Sequence, residues 1–78
     1  FPDAKYAWLF ELKHLKAGSS EGDVARAREA SREQIGRYLT DPGALQVLMG
    51  KRAVRAATVL LVGSTDLRWW VEQEIPAP

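Results

Sequence analysis

The chain has 78 residues, enough for one small domain; 46% of them are apolar and 27% charged, which excludes a disordered segment. Eleven basic and ten acidic residues leave a formal charge of +1, so no overall field draws nucleic acid or an anionic membrane. Cysteine is absent, which excludes disulfides and thiolate metal sites and fits a cytoplasmic protein, and no apolar run approaches the ~20 residues of a membrane span.

The first element expected is a turn. Pro2-Asp3-Ala4-Lys5 has hairpin chemistry, with Pro fixing φ and Asp favouring the turn. A hairpin needs a preceding strand, so residues 1–78 are expected to be a single domain fragment, the C-terminal part of a longer protein. Tyr6 to Lys13 then reads as a strand, rich in aromatic and branched side chains. Alternation puts Glu11 and Lys13 on one face, and Phe10 and Leu12 on the other. A charge pair on a buried strand face is costly unless something uses it.

Ala17 to Ser20 is a loop, with Ser20 placed to cap the helix that follows and Glu21 and Asp23 in its first turn. From there to Leu39 the period is helical: Val24, Ala27, Ser31, Ile35 and Tyr38 or Leu39 share a face. Ala25, Ala27 and Ala30 keep the helix slim, which suits close packing on a sheet. Thr40-Asp41-Pro42-Gly43 ends this helix and opens a short one, Ala44 to Met49, closed by Gly50. Arg55 to Gly63 is apolar on both alternations, as a strand buried on both faces would be. After the turn Gly63-Ser64-Thr65-Asp66, Leu67 to Ile75 alternates through its whole length. Leu67, Trp69, Val71, Gln73 and Ile75 face one way, and Arg68, Trp70, Glu72 and Glu74 the other. Its charge and the tail Pro76-Ala77-Pro78 suit a sheet edge.

The order strand, helix, short helix, strand, strand predicts an α/β fold. Two apolar strands joined through a helix call for a parallel crossover, and the last strand can return antiparallel. The result is a mixed sheet of at least three strands.

Glu11, Lys13, Gln34 and Tyr38 form the constellation with chemical potential. Glu11 supplies a hard oxygen ligand suited to Mg²⁺ or Mn²⁺. Lys13 can stabilise charge developing on a phosphate or orient a water. Gln34 and Tyr38, four apart, project from one side of the helix that crosses the sheet.

The motif E-x-K on an apolar strand (ELK), followed by a helix carrying Q-x-x-x-Y (QIGRY), resembles the PD-(D/E)xK nuclease superfamily, particularly its branch related to bacterial recombination exonucleases. With FPDAKYAWLFELK and ATVLLVG added, the chain looks most similar to nuclease-like domains at the C-terminus of bacterial proteins that begin with an AAA-ATPase-like domain. The resemblance implies a truncated restriction-endonuclease-like core and metal-dependent phosphodiester hydrolysis in the intact parent. It implies Glu11 as metal ligand and catalytic residue, Lys13 as catalytic lysine, and Gln34 and Tyr38 as supporting, nucleic-acid-binding residues. It further implies Mg²⁺ or Mn²⁺, nucleic acid and an upstream ATPase-like domain as partners. A second acidic ligand, usually Asp, would come from the preceding strand rather than from Asp3 in the expected turn. The fragment alone is then expected to bind little or no metal and not to cut, since one carboxylate is a poor Mg²⁺ site.

The alternative is a non-catalytic interaction or oligomerisation module that keeps the fold. Truncation would uncover a sheet edge and apolar surface, so self-association of the fragment is expected. The remaining conspicuous residues have plainer readings. His14 reads as a solvated loop residue. Arg26, Arg28, Arg32 and Arg37 read as a solvated helix face. Lys51, Arg52 and Arg55 read as loop charge, and Trp69 and Trp70 point to opposite sides of their strand.

Overall fold

A computed structural model describes residues 5–78; the expected turn at Pro2-Asp3-Ala4, and with it Asp3, lies outside the described residues. The elements run β1 (Tyr6–Leu15), α1 (Glu21–Leu39), α2 (Pro42–Met49), β2 (Ala53–Val62) and β3 (Asp66–Ile75). They form a three-stranded sheet in the order β1-β2-β3, with β1 parallel and β3 antiparallel to the central β2. The α/β class, the element order and the mixed sheet are as the patterning predicts. No helix among the described residues is long and apolar enough to cross a membrane.

Local chemistry sets the element ends. The Ser20 hydroxyl accepts from the Asp23 N–H at 3.1 Å, and the Asp23 carboxylate accepts from the Ser20 N–H at 3.0 Å. This reciprocal box satisfies two donors that the first turn of α1 would otherwise leave open. Ser20→Ala should therefore cost about 1 kcal/mol, read as a lower midpoint in chemical denaturation with an unchanged slope. Asp41 caps α2, accepting from the N–H groups of Gly43 and Ala44, so this helix starts at Pro42 rather than Ala44. Gly63 ends β2 at φ 67°, and its N–H donates to Leu15 O at 2.7 Å. A Cβ there would sit 3.2 Å from that of Ala17, so both the positive φ and the close approach call for glycine.

Both helices lie on one side of the sheet. Val24, Ser31, Ile35 and Leu39 are the buried residues of α1, so Leu39 and not Tyr38 completes its inward face. They meet Val54, Ala56, Thr58, Leu60 and Val62, the buried alternation of β2. One apolar cluster joins Ile35 and Leu39 to Ala7, Val54 and Ala56, with Leu45, Leu48 and Met49 of α2 packed against it. A second joins Val24 to Leu60 and Val62, beside Leu15, Ala27 and Trp70.

Three expectations are corrected here. Strand β2 is covered by helices on one face only: Val59 and Leu61, on the other, are half-buried. The even alternation of β3 is broken by a bulge. Gln73 pairs with Ala56 and Val71 with Ala57, leaving Glu72 without a partner residue. The extra residue changes the parity beyond it. Ile75 thus packs into the core with the helix-facing residues, and Glu74 turns to the open face beside Arg55. His14 lies in β1, not in a loop, and its Nε2 donates to Gly63 O at 2.9 Å.

Candidate functional site

Alternation along β1 carries Glu11 and Lys13 to the helix-bearing face of the sheet, as the sequence predicts, and α1 lies over them. Lys13 Nζ donates to Gln34 Oε1 at 2.6 Å and stands 3.7 Å from Glu11 Oε1. The Lys13 and Glu11 side chains are 25% and 31% exposed, so the pair is only partly shielded from solvent. The arrangement has a physical cause. Leu9 and Leu15 pin the two ends of this face of β1 into the apolar clusters, and the helix is held closely enough for Gln34 to reach down. One ammonium is thereby fixed by a neutral amide and a carboxylate, which is an orienting set for an anion or a polarised water.

Tyr38 is placed differently. It lies one helical turn beyond Gln34 and is 41% exposed. With Gln34, Arg37, Asp41 and Ala44 it lines an open cleft of about 390 Å³. The bonds around Lys13 and Glu11 reach Gln34 and stop short of Tyr38. Three of the four expected residues are thus brought together, and the fourth borders the approach to them.

The opposite flank of α1 holds a polar network that the sequence reading missed. Ser31 Oγ and Thr58 Oγ1, both fully buried, are 2.6 Å apart, and Thr58 Oγ1 donates to Glu72 Oε2 at 2.9 Å. Because the single Thr58 proton goes to Glu72, Ser31 is the donor to Thr58. Arg28 completes the chain with a two-pronged bond to Glu72, at 2.7 Å from Nη2 to Oε1 and 3.1 Å from Nε to Oε2. Its guanidinium also lies 4.8 Å from the ring centre of Trp70. Arg28 therefore belongs to an interlayer clamp and not to a solvated face. Burial, the strongest single influence on Glu72, pushes its carboxyl up. The bonds from Arg28 and Thr58 and the charges of Arg28 and Arg32 together outweigh it, so the group is held below the usual carboxylate range. The signal that could have found this network is two hydroxyls, Ser31 and Thr58, each in an otherwise apolar face.

Arg55 is likewise no loop residue. It lies in β2 on the open face, 3.8 Å from the Tyr6 ring centre and 3.3 Å from Glu74 Oε2, and it donates to the Tyr6 hydroxyl. Trp69 and Trp70 point to opposite faces, as expected: Trp69 is exposed and Trp70 sits beneath Arg28.

Among the described residues no group of three His, Cys, Asp or Glu side chains converges as a metal ligand set would. Glu11 offers a single carboxylate, and an ammonium stands beside it. These residues do not by themselves fit Mg²⁺, which needs several oxygens in octahedral array. Comparison with family models, with curated proteins and with solved structures gives no match.

Proposed function

We propose that the chain carries half of a PD-(D/E)xK-type nuclease site on a truncated restriction-endonuclease-like core. The observation that carries this reading is the Lys13–Gln34 hydrogen bond, which links the E-x-K strand to the Q-x-x-x-Y helix beside Glu11. Surface ion pairs are common, but an exposed pair has no need of a third residue from a different element at 2.6 Å. In this reading Glu11 contributes one carboxylate, Lys13 carries the positive charge that faces the phosphate, Gln34 orients Lys13, and Tyr38 borders the nucleic-acid path. Strand β1 is an edge of the sheet, so a further strand of a longer chain can pair with it and bring the second acid alongside Glu11. Without that acid no metal-dependent step is assigned to these residues, and residues 1–78 alone should not cut.

The test is DNA cleavage with Mg²⁺ or Mn²⁺ by the full-length protein, compared with Glu11→Ala and Lys13→Ala. Each variant should lose a hundredfold or more of the activity while keeping its fold; equal cleavage by the variants would refute the assignment. A non-catalytic interaction module is the second reading. It is favoured by a separate observation, the uncovered apolar face of the sheet.

A further inference from the structure

Two helices cover one face of the sheet and nothing among the described residues covers the other. Leu12, Leu67 and Trp69 on that open face are 70%, 63% and 59% exposed, with Phe10 and Val71 beside them. The molecule is a slab 14 Å thick, and its radius of gyration is 13.8 Å where about 11.5 Å is usual for this length. It exposes 5333 Å², against about 4,700 Å² for a compact monomer of 8.7 kDa. The excess approaches the ~800 Å² that each partner of a standard interface buries.

We infer that this face is a dimer interface, occupied by a second copy of the chain packed sheet on sheet. Register supplies the complementarity. Cross-strand rows on the open face run Phe10–Ala57–Val71, Leu12–Val59–Trp69 and His14–Leu61–Leu67. A two-fold axis along the strands sets each row against the same row reversed. Val59 then lies at the centre, with Ala57 already buried beneath its neighbours, and Leu12 of one copy meets Trp69 of the other. A shallow cleft between Leu12, Val59, Leu61 and Leu67 gives the indole a place to enter. The row Trp8–Arg55–Glu74 closes the apolar field with a neutralised pair, the polar rim of such an interface. A nucleic-acid strand fits less well, because the Arg55 guanidinium on this face is committed to Glu74 and Tyr6.

The experiment is sedimentation of the 78-residue chain across a hundredfold range of concentration, with Leu12→Lys and Trp69→Lys beside it. The chain should approach twice its 8.7 kDa mass, and each variant should raise the dimer dissociation constant about thirtyfold or more. Both positions are exposed in one copy, so far-ultraviolet circular dichroism should be unchanged. Dilution of the unmodified chain, which needs no variant, should red-shift tryptophan emission as Trp69 enters water. A monomer at the highest concentration, or a dimer that survives both substitutions, would overturn the inference. So would a monomer whose tryptophan emission is quenched by oligothymidylate, which would assign the face to single strands.

Discussion

Glu72→Ala is expected to destabilise the fold by about 3 kcal/mol, seen as a drop in melting temperature on the order of 10–20 °C. The carboxylate sits at the bulge of β3 with its side chain 3% exposed, and it ties Thr58 of β2 and Arg28 of α1 to the third strand. Removing it leaves one hydroxyl proton of the buried Ser31–Thr58 pair without its acceptor and the guanidinium without a counter-charge. Arg28 is 38% exposed and can turn to water, which keeps the cost at the lower end for a broken buried pair. The pH dependence follows from the lowered Glu72 carboxyl. A group whose folded value lies below its unfolded one contributes fully above the unfolded value, about 4.3. The contribution is lost as pH falls through the folded value. The unmodified chain should therefore lose stability on acidification below about pH 4, with Asp23 and Asp66, also lowered by their hydrogen bonds, adding in the same direction. Thermal melts of both proteins from neutral to acid pH check this. The gap between them should narrow as Glu72 becomes protonated.

Ile35→Ala should cost about as much, roughly 3 kcal/mol, by opening a cavity where the side chain is 2% exposed. A domain of 78 residues has a total of about 4–12 kcal/mol to lose. Ile35 sits in the first apolar cluster, among Ala7, Leu39, Val54 and Ala56, with Leu45 and Ile75 against it, so nothing large is free to collapse into the space. Its neighbour Gln34 provides the contrast. Gln34 projects from the flank of α1 toward Lys13, and Gln34→Ala should change stability by no more than about 1 kcal/mol. Urea denaturation of the two variants at one fixed protein concentration separates core from site within the segment QIGRY. The concentration must be held constant because a dimer gains stability by mass action.

Periodicity made most of the fold legible. The helical face of α1 and the doubly apolar β2 are strong patterns, and the parallel crossover follows from them. The meeting of Glu11, Lys13 and Gln34 was legible for the same reason: alternation fixes the strand face, and a helix crossing the sheet must look down on it. The bulge was not legible, since Trp70-Val71-Glu72-Gln73 reads as an unbroken alternation and only cross-strand pairing reveals the extra residue. The surroundings of Arg28 and Arg55 are not legible, because long cations look alike in sequence whether they meet water, a buried carboxylate or an aromatic ring. Tyr38 shares a side of the helix with Gln34, but a full turn of α1 carries it past the end of the Lys13 contact. The one-sided covering of β2 is not legible either, because apolar character on both alternations records a preference for burial without recording what supplies it.

The most direct test of the half-site is paramagnetic broadening by Mn²⁺ in the full-length protein labelled with ¹⁵N-glutamine. Gln34 lies beside Glu11 and Lys13, whereas Gln73 lines a cleft with Glu29, Glu33 and Glu72 on the other flank of α1. A metal held at Glu11 should broaden the Gln34 side-chain amide first, and Glu11→Ala should abolish the effect. Broadening of Gln73 ahead of Gln34, or broadening of Gln34 that persists without Glu11, would contradict the assignment.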